Sequence, residues 1–346
     1  MIRNALSLMV SCVIATGLII GMWYLTFTHA SQTAAWTISV RPNRGLPLTL
    51  PAPALPTRVL RNDVDVTASV PAARATARAQ SAPAAACANS DALGIGRVVE
   101  IDTSEGPSFG NARTAAMDFL NDKEVVLSFD DGPWPGNTPA VLKALADECT
   151  TGVFFTIGKH ASYHPELLRQ VQAAGHIIGT HTWSHANLNS KKLGAQQVKD
   201  EVEKGFSAAK LVLGNSPAPL FRFPQLQSNA AAVSYLAQRH VGMFSADIDS
   251  LDFRRTSTPD KIVERVMSEL EKRHKGIILM HDFQKNTAIA LPALLRRLKE
   301  GGYRVVRITT RAPYETEPEY DAAILKDFRM PALRAPLTSA VRTVSQ

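Results

Sequence analysis

Two adjacent carboxylates, Asp130 and Asp131, close the apolar run Val125-Val126-Leu127-Ser128-Phe129. The β-branched run predicts a buried strand, and Gly132-Pro133 breaks it. Like charges raise each other's pKa and desolvation raises both, so the pair is costly there. A divalent cation beside one acid removes that cost and leaves the other free as a base. Asp-Asp-Gly is also an ordinary exposed turn, and the rest of the chain decides between the two. His181 and His185 share one helical face, or bracket one loop, and can bind one metal. One acid and two imidazoles leave coordination positions open for water and substrate, the pattern of a catalytic site. Arg222-Phe-Pro224-Gln225 places a guanidinium ahead of a Pro-fixed turn, suited to a carboxylate. Asp247-Ile-Asp249-Ser-Leu-Asp252-Phe253 is an acid-rich loop. Leu279-Met-His281 ends a further apolar run, where His281 is placed for general-acid work.

These groups need a scaffold that brings strand ends together. From Lys123 to Thr309 the pattern alternates strand and helix. Strands are predicted at Val125–Phe129, Gly152–Ile157, Ile177–Thr180, Leu220–Phe223, Met243–Ile248, Ile277–Met280 and Arg304–Ile308. Helices are predicted at Pro139–Glu148, Pro165–Ala174, Gly194–Leu213, Ala230–His240, Pro259–Arg273 and Thr287–Lys299. Thr258-Pro259 reads as an N-cap with Pro at N1, and Gly301-Gly302 as a helix stop. Repeated βα units imply a parallel sheet. About seven strands fit a distorted (β/α)7-type barrel better than a closed eightfold one; an open doubly wound sheet is the alternative. In either fold, reactive residues collect at the C-terminal ends of the strands.

Taken together, the motifs resemble the metal-dependent polysaccharide deacetylases with a NodB-homology domain, carbohydrate esterase family 4. The resemblance spans roughly residues 120–310, and its five motifs follow the family's order. Ser128-Phe-Asp-Asp-Gly-Pro133 matches the first, His181-x-x-x-His185 the second and Arg222-Phe-Pro-Gln225 the third. Asp249-Ser-Leu-Asp252-Phe253 matches the fourth and Leu279-Met-His281 the fifth. The resemblance implies Asp130 as general base, with Asp131, His181 and His185 holding a metal, usually zinc. It implies that Arg222 orients Asp130, that Asp252 supports His281, and that His281 protonates the leaving amine. Pro224, Gln225, Phe253 and Leu279 would then line the substrate groove, Leu279 beside the acetyl methyl. The family usually has an aromatic where Gln225 stands and Trp where Phe253 stands, which bears on the substrate and not on the chemistry.

The implied function is removal of N-acetyl groups from GlcNAc-containing glycan of chitooligosaccharide or peptidoglycan type. An O-acetyl esterase is the alternative within the same chemistry, and a non-catalytic glycan-binding module the alternative outside it.

Outside the motifs, Ala5 to Thr28 carries no charged side chain, follows Arg3 and ends near Trp23 and Tyr24. It is long enough to span a bilayer core of ~30 Å. Residues 1–30 are therefore expected to be a signal anchor, with a signal peptide cut after Ala30 as the rival. Residues 31–86, rich in Ala, Pro and Arg, read as a flexible linker. Residues 87–120 read as an ordered lead-in, with a short strand near Gly94–Ile101. Residues 121–312 form the deacetylase-like domain, and 313–346 a tail of loop or disorder. The chain would then sit at the cell envelope, tethered to the membrane, with its catalytic domain outside the cytoplasm.

The net charge of the 346 residues is +7. Residues 1–86 hold seven Arg, no Lys and two acids, so about +2 is left for the rest. Such a nearly neutral body gives a nucleic-acid partner little support. Of three cysteines, Cys12 lies in the apolar segment, and Cys87 and Cys149 are either a disulfide or two buried thiols.

Overall fold

The structure, a computed structural model, describes residues 87, 89–110 and 117–327. The expected membrane segment and linker lie outside the described residues. Among the described residues, no helix is long and apolar enough to cross a membrane.

Among the described residues, ten strands form one sheet in which every pairing is parallel. They are β1 (Arg97–Ile101), β2 (Ser108–Phe109), β3 (Glu124–Asp130), β4 (Val153–Thr156), β5 (Ile177–Thr180), β6 (Leu220–Phe221), β7 (Gly242–Phe244), β8 (Ile248–Asp249), β9 (Gly276–His281) and β10 (Arg304–Thr310). The helices are α1 (Asn137–Asp147), α2 (Gly158–Tyr163), α3 (Pro165–Ala173), α4 (Ala195–Leu213), α5 (Ala230–Gln238), α6 (Pro259–Arg273), α7 (Lys285–Glu300) and α8 (Pro318–Asp327). From β3 to β7 each strand pairs with the next, β8 pairs with β9, and β9 returns to β3. β7 and β8 do not pair, so the ring has one opening. β10 joins the start of β3 and carries β1 beside it.

Alternation along the strands divides the core. In β3, Val125, Leu127 and Phe129 pack outward against α1, α6 and α7, among Leu145, Val266, Leu291 and Leu294. Val126 packs inward with Val153, Phe155, Leu220, Phe244 and Ile277. With period 2, Ser128 and Asp130 share the inward face of Val126, and Leu279 and His281 share that of Ile277. The strands are buried on both faces, hence their nearly unbroken apolar character.

Helix α6 shows how local sequence supports this frame. Thr258 caps it by accepting the Lys261 N–H, Pro259 opens it, Asp260 lies in its first turn, and Lys272 and Arg273 lie in its last. Ile262, Val263, Val266, Met267 and Leu270 form its buried stripe.

Three expectations change. The strand expected at Met243–Ile248 is two pieces, because Ser245 and Asp247 interrupt it. The Ser245 carbonyl accepts from Arg222, and the Asp247 carboxylate accepts the Ile277 N–H at 2.8 Å. The short helix α2 lies where only a connection was expected. The tail expected to be loop contains α8, with Tyr314 buried before it and stacked on Phe206 at 3.7 Å. α8 has only a narrow apolar face, Tyr320 and Ile324, and α4 supplies its polar partners. Tyr320 donates to Asp200 at 2.8 Å, and Lys210 pairs with Asp321 at 2.8 Å.

Cys87 and Cys149 form a disulfide. Beside it, Leu93 N–H donates to the Glu148 carboxylate at 2.7 Å, which fastens the lead-in to the end of α1.

Candidate active site

β3 ends at Asp130, and Asp131 turns the chain out of the sheet at φ 72°. Consecutive strand residues face opposite ways, so this left-handed turn lets both carboxylates face one space. The turn is held from behind. Gly132 N–H donates to Asp282 Oδ1 at 3.1 Å, and Thr138 Oγ1 to Asp282 Oδ2 at 2.5 Å. Only glycine fits at position 132, since a Cβ there would lie 2.1 Å from Asp282 Oδ2. Burial, reinforced by the Asp131 and Asp130 charges, pushes the Asp282 carboxyl up to about 7 against those hydrogen bonds.

Asp130 is nearly inaccessible, and its partner is Arg222, which is completely buried. Arg222 Nη1 donates to Asp130 Oδ1 at 2.7 Å and to Ser128 Oγ at 2.9 Å. Its other nitrogens reach the carbonyls of Phe244 at 3.2 Å and Ser245 at 3.0 Å. The guanidinium lies 4.3 Å over the Phe155 ring. A buried charge needs such pairing and satisfaction to persist.

Asp131, His181 and His185 offer ligand atoms that all lie within 4.8 Å of one another. Asp131 Oδ1 is 3.6 Å from His181 Nε2 and 3.5 Å from His185 Nε2. These separations are too long for hydrogen bonds, but close to the ~3.4 Å edge of a tetrahedron drawn with ~2.1 Å bonds. Asp131 Oδ1 is buried and has no hydrogen-bond partner. His181 Nδ1 lies 2.7 Å from the Arg222 carbonyl. A carbonyl only accepts, so Nδ1 carries the hydrogen and Nε2 presents its lone pair toward Asp131. Burial lowers the His181 pKa and keeps the ring neutral, as a ligand must be. The donor set therefore fits a divalent cation.

His281 is the register partner of Asp130 on β9, so the two side chains leave neighbouring strands on the same face. Its Nδ1 donates to Asp252 Oδ1 at 2.6 Å, and its backbone N–H to Asp252 Oδ2 at 2.7 Å. Thr287 Oγ1 also donates to Asp252. Burial pulls the His281 pKa down, but Asp252, Asp130 and Asp131 together lift it to about 9. At neutral pH the ring carries its proton.

The four expected lining residues are placed as follows. Leu279 is buried on β9, two residues before His281. Phe253 is half exposed, edge-on to the His281 ring at 5.7 Å. Pro224 is buried in a short 3-10 turn, and Gln225 adopts φ 58° and accepts from Asn187 at 2.8 Å.

Ser128, His160, Asp282 and Thr287 were not singled out in the sequence. His160 Nδ1 donates to the Asp131 carbonyl at 2.5 Å. Ser128 and Asp282 have local signals, the first residue of the motif ending in Pro133 and an acid directly after the strand-end His; His160 and Thr287 have none. A larger cavity of about 380 Å³ includes Met117, Arg273, Lys275 and Gly276 in its wall, at the opposite end of β9, and holds none of the site groups.

The family model for polysaccharide deacetylase matches residues 119–243, which include Asp130, Asp131, His181, His185 and Arg222. A peptidoglycan-N-acetylglucosamine deacetylase of Bacillus cereus is 31% identical over 212 residues, 58% of this chain and 75% of that protein. The chain belongs to the polysaccharide deacetylase family. A chitooligosaccharide deacetylase of Bradyrhizobium is 32% identical over 167 residues, 48% of this chain and 73% of that protein. A peptidoglycan-N-acetylglucosamine deacetylase of Listeria monocytogenes is 30% identical over 54% of this chain, and the chain spans only 38% of that protein's length. Among solved structures, a Bdellovibrio bacteriovorus peptidoglycan deacetylase is 34% identical, with TM-score 0.55 over 63% of this chain and 59% of that one. A Bacillus anthracis pseudoenzyme of the same family, 24% identical with TM-score 0.50 over 54% of this chain and 64% of that one, shares the fold alone.

Proposed function

We propose that this domain is a metal-dependent hydrolase that removes N-acetyl groups from GlcNAc-containing glycan of peptidoglycan or chitooligosaccharide type. One observation carries the reading. Asp130, clamped by Arg222, faces the same space as a protonated His281 on the adjacent strand, beside a buried, unpartnered carboxylate oxygen and two imidazoles. The chemistry needs a base and an acid on one substrate, and the register pairing of β3 with β9 sets a carboxylate beside an imidazole that carries its proton. The relatives' names agree with it.

A divalent cation held by Asp131, His181 and His185, zinc by the nitrogen-rich donor set, supplies Lewis acidity that polarises the acetyl carbonyl and acidifies water. Asp130 takes the proton of the attacking water, whose oxygen bonds to the acetyl carbon. The carbon–nitrogen bond breaks, and His281 gives its proton to the departing amine. Arg222 holds Asp130 in place through the hydrogen bond to Oδ1, and Asp252 keeps His281 charged. Leu279, Phe253, Pro224 and Gln225 shape the groove.

The domain acts outside the cytoplasm, tethered by the uncharged segment Ala5–Thr28. The Cys87–Cys149 disulfide supports an oxidising compartment.

Acetate release from N-acetylglucosamine oligomers and from peptidoglycan, measured with Asp130→Asn, tests the activity. We expect a fall of about 10²–10⁴-fold with bound metal unchanged. Glycan retention without turnover by the wild-type protein makes this a binding module. Release from O-acetylated glycan alone makes it an esterase.

A further inference from the structure

A second space opens beside the metal-ligand cluster. A cavity of about 230 Å³ is lined by Asp131 and His185 on one side and by Lys159, His160, Tyr163 and Phe283 on the other. Its wall is aromatic: Trp134 packs 4.9 Å from Phe283 and 5.2 Å from His160, and Tyr163 is two-thirds exposed at the rim. Such rings suit the apolar faces of a sugar. Lys159 adds a charge. It is partly buried in α2, its backbone N–H is taken by the Trp183 carbonyl, and its ammonium makes no hydrogen bond or ion pair among the described residues.

The nearby acids do not cancel that charge. Asp131 belongs to the metal-ligand cluster. Ser184, also in the wall, donates to both oxygens of Glu201, at 2.8 Å from its N–H and 2.7 Å from its hydroxyl. With Asp131 held by a cation, the Lys159 ammonium is the charge left over among the residues of the wall itself, to which Glu201 does not belong. Lys159 is partly buried and its ammonium has no partner among the described residues, so it is free to meet a ligand anion.

Resting on the deacetylase reading, we propose that this cavity is a subsite for a sugar carrying a carboxylate. Lys159 then selects anionic glycan, of peptidoglycan type, over neutral N-acetylglucosamine oligomers. The carboxylate is either a lactyl ether on the neighbouring sugar or the acid of an attached peptide. Both present a carboxylate charge, the lactyl acid close to the ring and the peptide acid further out.

The test compares wild type, Lys159→Met and Lys159→Arg on chitotetraose, on peptide-free peptidoglycan strands and on strands bearing peptide. The Met variant is expected to lower kcat/KM on the anionic strands about tenfold relative to chitotetraose, the worth of one charge-assisted hydrogen bond, through KM rather than kcat. The Arg variant should restore the ratio. Loss on peptide-free strands assigns the lactyl carboxylate, and loss only on peptide-bearing strands assigns the peptide acid. An equal change on all three substrates, or none, overturns the subsite. Calorimetric binding of the same glycans, with each Lys159 variant built on Asp130→Asn, applies the same criterion without turnover. Absence of acetate release from every glycan would therefore defeat the deacetylase reading while leaving the charge question decided.

Discussion

Asp252 sets the proton affinity of a group it touches twice. It accepts both the Nδ1 hydrogen and the backbone N–H of His281. Burial alone would strip the ring of its charge, and the carboxylates outweigh it, lifting the pKa to about 9. A raised pKa means that the acid form is present below that value and is lost as pH rises through it. Activity that depends on the His281 proton should therefore fall on the alkaline side near pH 9. Asp252→Asn should move that limb down by about 1–3 pH units, read from kcat/KM against pH. Arg222 shows the same economy. It packs on Phe155 and spends its donors on Asp130, Ser128 and two carbonyls. Arg222→Met should cost about 3–5 kcal/mol in urea unfolding at neutral pH, because it leaves Asp130 buried and unpaired.

At the level of elements, period-2 alternation does the positioning. Val126, Ser128 and Asp130 share one face of β3, and Ile277, Leu279 and His281 the matching face of β9, so parallel pairing alone brings base and acid together. The left-handed turn at Asp131 then adds the second carboxylate, and α1 supports it through Thr138 and Asp282. The lead-in joins the sheet through β1 and β2, and its start is fastened by a disulfide and by hydrogen bonds to the end of α1. The bridge joins residues 62 apart in sequence, so reduction releases a long loop. Dithiothreitol, or Cys87→Ser with Cys149→Ser, should lower unfolding stability by about 2–4 kcal/mol, measured in urea, and leave metal binding unchanged.

Across the whole molecule, the ligand cluster gathers residues from the end of β3 and from the loop after β5, Asp131 on one side and His181 and His185 on the other. A cation bound there tightens the native state and not the unfolded chain. At about a hundredfold excess over Kd, zinc should add about 2.7 kcal/mol, or roughly 5–10 °C in Tm for a domain of this size. His181→Ala should abolish the gain, and a chelator should reverse it in the wild-type protein, both read by thermal unfolding.

Much of this was legible before any coordinates. The βα alternation, most strand centres, the Thr258 cap and the metal-ligand triad follow from patterns that are local in sequence. β5 and α6 lie where the periodicity places them. The break between β7 and β8 was not legible, because Ser245 and Asp247 leave the strand to serve Arg222 and Ile277, partners distant in the chain. Nor was α8, whose two buried residues are too few to show a periodicity and whose partners lie on α4.

The sequence by itself determined which side chains are candidates for the chemistry, since residue type and spacing fix what a group can ligate or titrate. Only the tertiary structure decided their state. Burial, the Arg222 clamp and the Asp252 carboxylate come from far along the chain, and they keep His181 neutral, Asp130 paired and His281 charged. Proton affinity depends on what surrounds a group in space, and neighbours in space are not written in neighbouring positions.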